Sequence, residues 1–306
     1  MLGMRRGFQA AILALAGLFA LSPRPAAEET PSALPQSAPA ASPAAQPPAA
    51  SQPQSAPARP TRQRPAGVRP TRPPGPPQRD PRAEEVLRAV VDADGGEEYL
   101  RGIHTLFIRT RQLRGEGEEA EESLITQYWK EPNRYRREVD SPRGLFVMSY
   151  NGKYAWNDMG QGVTLAAKSS YRDIEDIVRD INEPLSHLDA GNSLAYEGEK
   201  ELDGRKVDVV RVTRPSGKIK RLYVEREQRT VLMREIMRFT EPDKVVARRR
   251  FSDFRKVDKL WVAFLEEDSS GETLSRLETV NFIPNQAIDD RLFDSPLPPY
   301  DEQRKR

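Results

Sequence analysis

The chain has 306 residues, with 48 Lys+Arg, 46 Asp+Glu, two His, 27 Pro and no Cys. Without cysteine there is no disulfide framework, no thiolate metal site, no catalytic thiol and no lipid-bearing N-terminal cysteine. The formal net charge of +2 divides unevenly: residues 1–80 carry nine basic and three acidic side chains, and residues 81–306 carry 39 basic and 43 acidic ones. A nucleic-acid-binding domain displays its positive charge on the folded surface, so this distribution argues against a nucleic-acid partner.

The N-terminus sets Arg5 and Arg6 before the apolar run AAILALAGLFAL, 12 residues long. A membrane span needs about 20 apolar residues. A basic flank, a short apolar core and small residues at Ser22, Ala26 and Ala27 therefore predict a signal peptide over residues 1–27. The alternative is an uncleaved anchor, and in either case the domain that follows is exported. Residues 28–79 are dominated by Pro, Ala, Ser, Gln and Arg, and 18 of the 27 prolines fall between Pro23 and Pro81. Such a segment has too little apolar surface to offset chain entropy, and it predicts a disordered, partly polyproline-II tether. Its scattered arginines suit peripheral contact with an anionic membrane surface.

The folded domain is predicted over residues 80–306. Asp80 reads as an N-cap before Pro81 at the first helical position, Val86, Leu87, Val90 and Val91 recur at helical spacing, and Gly95-Gly96 supplies the stop. A short second helix is expected near 97–100. The pattern then changes to period two, predicting strands near 103–113, 122–130, 133–140, 144–151 and 153–157. Residues 169–182 interrupt them: Ile174, Ile177, Val178 and Ile181 share one helical face, and Arg172, Asp173, Glu175, Asp176, Arg179 and Asp180 take the other. Strands resume near 193–202, 206–213, 218–225, 230–240, 245–254, 260–268 and 272–283. Asn151-Gly152 and Asp203-Gly204 read as hairpin turns. About twelve hairpin-linked strands with two or three helices predict a mainly β, α+β domain built on an antiparallel sheet or open barrel.

Enzyme motifs are missing from this pattern. There is no phosphate-binding glycine loop, dinucleotide fingerprint, nucleophile elbow or paired-histidine zinc motif, so neither a cofactor nor a metal is expected. His104 and His187 have no histidine partner at ligand spacing and read as structural. Glu266 and Glu267 are neighbours in a strand, point to opposite faces and cannot converge on one substrate atom. Asp289-Asp290 reads as the cap of a final turn before Leu292-Phe293. Lys218, Lys220 and Arg221, together with the run Arg248 to Arg250, are expected on the solvated face of the sheet.

Several strands are apolar on both faces, as in Leu145 to Tyr150 and Leu260 to Leu265. The default reading is that such a face packs against the protein's own helices; the functional alternative is that a curved sheet with one large apolar concave face and few helices to cover it leaves a cavity or a removable lid. The amphipathic helix over 169–182 is the expected lid. The cavity is expected to be lined by Leu106, Ile108, Phe146, Met148, Ile174, Ile177, Ile181, Val262 and Phe264, chosen by face and period.

The order of these pieces resembles a known family. AEEVLRAVVDADGGEEYLRGI, YWKEPNRYRREV, SYNGKYAWND, KELDGRKVDVVRV, RRFSDFRKVDKLWVAF and FIPNQAIDDRLFDSP span about residues 80–296. In order and spacing they are similar to the LolA/LolB-type periplasmic lipoprotein carriers and their outer-membrane lipoprotein-sorting relatives. The resemblance implies an unclosed antiparallel half-barrel of about 11 strands, with helices closing the concave side over a cavity for acyl chains. It also implies a periplasmic, non-enzymatic carrier whose partners are lipid or lipoprotein acyl chains. An envelope sensor or scaffold that binds a protein partner on the same fold is the alternative.

Overall fold

The computed structural model describes residues 76–115, 117, 120–166, 171–238, 240–270 and 273–296. The predicted signal peptide over 1–27 and nearly all of the predicted tether lie outside them. Helix α1 (Pro81–Ala93) begins as its sequence dictates: the Asp80 carboxylate accepts the Arg82 N–H at 2.8 Å, and Pro81 occupies the first turn, where no N–H is needed. Contact with the sheet starts two residues earlier than expected, because Leu194 donates its N–H to the Gln78 carbonyl at 2.8 Å. Gly95 and Gly96, at φ of 95° and 88°, then turn the chain into α2 (Glu97–Arg101) through backbone that only glycine adopts freely.

The rest is one 13-stranded antiparallel sheet. Six strands form an N-terminal meander: β1 (Thr105–Arg114), β2 (Glu121–Lys130), β3 (Arg134–Ser141), β4 (Gly144–Tyr150), β5 (Ala155–Asp158) and β6 (Val163–Leu165). Then α3 (Tyr171–Val178), a 3-10 turn (Arg179–Asn182) and α4 (Glu183–His187) cross the sheet. The second meander is β7 (Ser193–Leu202), β8 (Arg205–Thr213), β9 (Lys218–Glu225), β10 (Val231–Arg238), β11 (Ala247–Val257), β12 (Leu260–Ser270) and β13 (Thr273–Pro284). Spatially the order is β6-β5-β4-β3-β2-β1-β13-β12-β11-β10-β9-β8-β7, so the first and last strands pair at the centre and the sheet does not close on itself.

This is the unclosed half-barrel expected, with 13 strands and four helices in place of about 11 and two or three. The strand beyond the twelve read from the sequence pattern, β6, has three residues and is too short to show a period. The lid helix expected over 169–182 is, among the described residues, two pieces, α3 and the 3-10 turn, and α4, which lies outside the expected span, follows with Pro184 in its first turn. A last 3-10 turn (Asp290–Phe293), capped by Asp289 as predicted, inserts the fully buried Phe293 beside β4 and β5. There the Phe293 carbonyl accepts hydrogen bonds from Ser149 Oγ and Trp156 Nε1, each at 3.1 Å.

Candidate functional site

Alternation along the strands places Leu106, Ile108, Trp129, Tyr135, Met148 and Leu222 on the concave face, where the helices lie. Over β7 to β9, α1 packs Ala83, Val86, Leu87 and Val90 against Leu194, Val210, Val212 and Leu222. Over β2 to β5, α3 packs Ile174 and Val178 against Trp129, Tyr135, Met148, Tyr150 and Ala155. Between these two packed zones lies a cavity of about 370 Å³, within the range of small-molecule sites.

Five of the nine residues predicted to line it do so: Leu106 and Ile108 from β1, Ile177 and Ile181 from the lid, and Val262 from β12. The other four lie elsewhere. Met148 and Ile174 are only 4% and 2% exposed, consumed in the packing of α3 on the sheet. Phe146 stands opposite Val139 at the far end of β4. Phe264 is half-buried beside the cluster of Leu260 and Val262, with the Arg255 guanidinium 4.4 Å over its ring. Trp129, Phe251 and Phe282 complete the apolar wall. Their strand alternation was visible in the sequence, but the place where helix packing ends was not.

The other wall is ionic, and here the expectation of solvated charges is overturned for Lys220 and Arg249, whereas the side chains of Arg248 and Arg250 stay exposed. Asp176 is 4% and Lys220 2% exposed. Because α3 and α4 lie inside the trough of a curved sheet, the helix flank facing β8 to β10 is covered as well as its apolar face. Lys220 Nζ meets Asp180 Oδ2 at 3.0 Å and Glu183 Oε1 at 2.7 Å, and Arg234 also pairs with Glu183. Arg214 donates to the Asp176 carbonyl at 2.8 Å and to Ser186 Oγ at 3.0 Å, and it pairs with Asp180. Burial works against the Asp180 and Glu183 charges, but the Lys220, Arg214 and Arg234 cations outweigh it and hold both carboxyls below their ordinary range. Farther along, Arg249 is held by Glu266 at 2.8 Å and Asp268 at 2.6 Å. Glu267 faces away and is exposed, so the two neighbouring glutamates diverge as their position in a strand requires.

His187 and Asp94, both at the cavity, are strongly shifted. Burial, then the Lys220 charge, pushes the His187 ring down to about 3, so it is neutral at pH 7. Its Nε2 lies 3.8 Å from Glu183 and its Nδ1 has no hydrogen-bond partner, which is a buried structural ring and not a base aligned on a nucleophile. Burial pushes Asp94 up to about 6, although its carboxylate accepts the Trp261 N–H at 2.9 Å. Among the described residues no cluster of three or more His, Asp or Glu side chains is arranged to hold a metal ion. None of the described helices is long and apolar enough to cross a membrane.

No protein-family model matches the chain, and no curated protein matches its sequence. Solved structures do match. A LolA superfamily protein from Nitrosomonas europaea superposes with a TM-score of 0.50 at 11% identity, covering 70% of this chain and 97% of that one. A DUF1329 family protein from Desulfovibrio piger gives 0.49 at 13% identity, covering 69% and 97%. A putative outer membrane lipoprotein-sorting protein domain from Vibrio parahaemolyticus gives 0.48 at 12% identity, covering 73% and 100%. The half-barrel with its helices in the trough is therefore a LolA-like fold.

Proposed function

We propose that this chain is an exported, non-enzymatic binding or carrier protein whose cavity takes up the acyl chains of a lipid or lipoprotein. In this reading residues 1–27 direct export or anchor the chain, 28–79 form the tether, and 80–306 are the periplasmic binding domain. The observation that carries it is the cavity of about 370 Å³ left between the two helix-packed zones, walled by Leu106, Ile108, Ile177, Ile181, Val262 and Phe282. Each methylene buried there contributes about 0.8 kcal/mol, so binding needs no chemistry beyond burial, and movement of the α3 and α4 lid would release the ligand. The neutral, unaligned His187 supports a binding rather than a hydrolytic role.

The test is native mass spectrometry with lipid extraction on the full chain purified from the envelope of an expressing cell. Near one-to-one lipid or acylated peptide, lost in an Ile177→Asp variant with an unchanged circular-dichroism spectrum, is the expected result. A clean apo mass together with no uptake of a fluorescent fatty acid overturns the reading. One observation favours a second reading, a protein partner on the convex face: Ile283 is 41% and Val280 46% exposed on β13, beside the Phe107 and Tyr128 rings.

A further inference from the structure

The cavity is not uniformly apolar, and its charges do not balance within it. Five cationic side chains line it, Arg137, Lys218, Lys220, Arg234 and Arg249, against the four carboxylates of Asp94, Asp180, Glu183 and Glu266. Lys220, Arg234 and Arg249 are each held by carboxylates at hydrogen-bond distance. Arg137 differs in making no ion pair among the described residues, although the Arg234 Nε shares its lack of a hydrogen-bond partner. Arg137 sits on the concave face of β3, between Gln127 of β2 and Met148 of β4, and its Nε is screened from water without a hydrogen-bond partner. Its neighbour Asp268 is committed to Arg249, and Gln127 Oε1 accepts its hydrogen bond from the Tyr135 hydroxyl at 2.8 Å. Burial depresses the Arg137 pKa, and the like charges of Arg249 and Arg114 add to that cost while Tyr135 and Asp268 offset part of it. Lys218, which also lines the cavity, is likewise depressed by burial and by Lys220, and it makes no ion pair among the described residues.

A guanidinium held in a trough beside other cations, with its Nε unsatisfied, is an expensive arrangement unless something pairs with it. It also lines the same space as Trp129, Ile108 and Phe282. We infer that the ligand of this cavity is an anionic amphiphile, whose carboxylate or phosphate is bound by Arg137 while its chain lies against the apolar wall. Planar, forked donors suit both anions. The inference rests on the cavity reading above and narrows it: a fully neutral acyl glyceride would leave Arg137 as costly bound as free.

The experiment titrates delipidated full-length chain with oleate, with oleyl alcohol, which has the same chain and no charge, and with lysophosphatidylglycerol, reading the fluorescence of Trp129 and Trp261. Inorganic phosphate alone serves as the chainless control. Oleate or the phospholipid is expected to bind roughly tenfold or more tightly than the alcohol. Arg137→Met should abolish that margin while leaving alcohol binding within about twofold, and Arg137→Lys should restore part of it. Whichever anion loses more to Arg137→Met identifies the headgroup. Equal affinity of the unmodified chain for both anions and the alcohol overturns the anion site and leaves the cavity reading intact, a comparison that needs no variant to fold. An unchanged margin in Arg137→Met overturns the assignment to Arg137. Failure of every chain-bearing ligand to bind overturns the cavity reading itself.

Discussion

The trough under α1 and the trough under α3 and α4 are made by strands of one sheet with the same alternation, yet they are held shut by different forces. Under α1 the contact is mainly apolar: Ala83, Val210, Val212 and Val224 are all 0% exposed, and ion pairing enters where the buried Asp208, opposite Val224, meets Arg226 and Arg82. Under α3 and α4 an apolar patch is joined to a row of ion pairs, and the cavity lies beside them. Apolar burial stabilises in proportion to area and cannot be undone without exposing that area. A buried ion pair sets desolvation against Coulomb attraction, so its net contribution is small and its partners regain water when they part. The first zone is a frame; the second is the part able to open.

That contrast breaks most visibly in the frame. Val210→Asp places an unpaired carboxylate opposite Leu222 in the apolar zone and should cost roughly 5 kcal/mol, comparable to the whole stability of many domains. Urea unfolding should find little folded protein. Arg214→Met, in the ionic zone, leaves Asp176 without its guanidinium and weakens the hold on Asp180. It should cost about 3 kcal/mol, and hydrogen exchange should quicken in α3 and α4 before it does in α1. Uniform quickening in all three helices would show that the two zones open as one.

Acid should sharpen the same contrast. His187 has an ordinary pKa of 6.5 and is held at about 3 when folded, so its contribution is complete above pH 6.5 and is lost as the pH falls toward 3. At pH 4.5 the loss is on the order of a few kcal/mol. The depressed Asp180 and Glu183 carboxyls add a loss of the same sign at lower pH. Unfolding curves at pH 7 and pH 4.5 should converge in His187→Gln, and a full acid loss in that variant would assign the effect elsewhere. The smallest effect belongs to the frame's exposed side. Arg88→Ala removes an i,i+4 pair with Glu84 on α1 and should change stability by only about 0.3 kcal/mol.

The frame was largely legible in the sequence. Asp80-Pro81, the Val86 to Val91 spacing and the Asp203-Gly204 turn each act within a few residues, and the structure places all of them as read. The ionic zone was not legible, because its partners come from distant strands. Asp176 and Asp180 fall on the polar side of an amphipathic helix, and nothing local tells that Arg214 and Lys220 will stand over that side. Periodicity also assigned Met148 and Ile174 to the concave face without showing that α3 fills the space there and leaves the gap beyond Leu106. Arg137 was passed over because a charged residue in an alternating strand reads as outward-facing until the register with Gln127 and Met148 is known.

The sheet order also governs how the molecule is assembled. β1 to β6 and β7 to β12 are each hairpin meanders that pair with sequence neighbours, and only β13 joins them, through pairs such as Leu106 with Pro284. Local hairpins form early and long-range pairing late. A growing chain that has not reached Thr273 therefore holds two half-sheets with the edges of β1 and β12 unpaired, open to any other strand. Until that central seam closes there is no continuous trough, and the cavity, which draws Leu277, Thr279 and Phe282 from β13, forms only after that strand has been made.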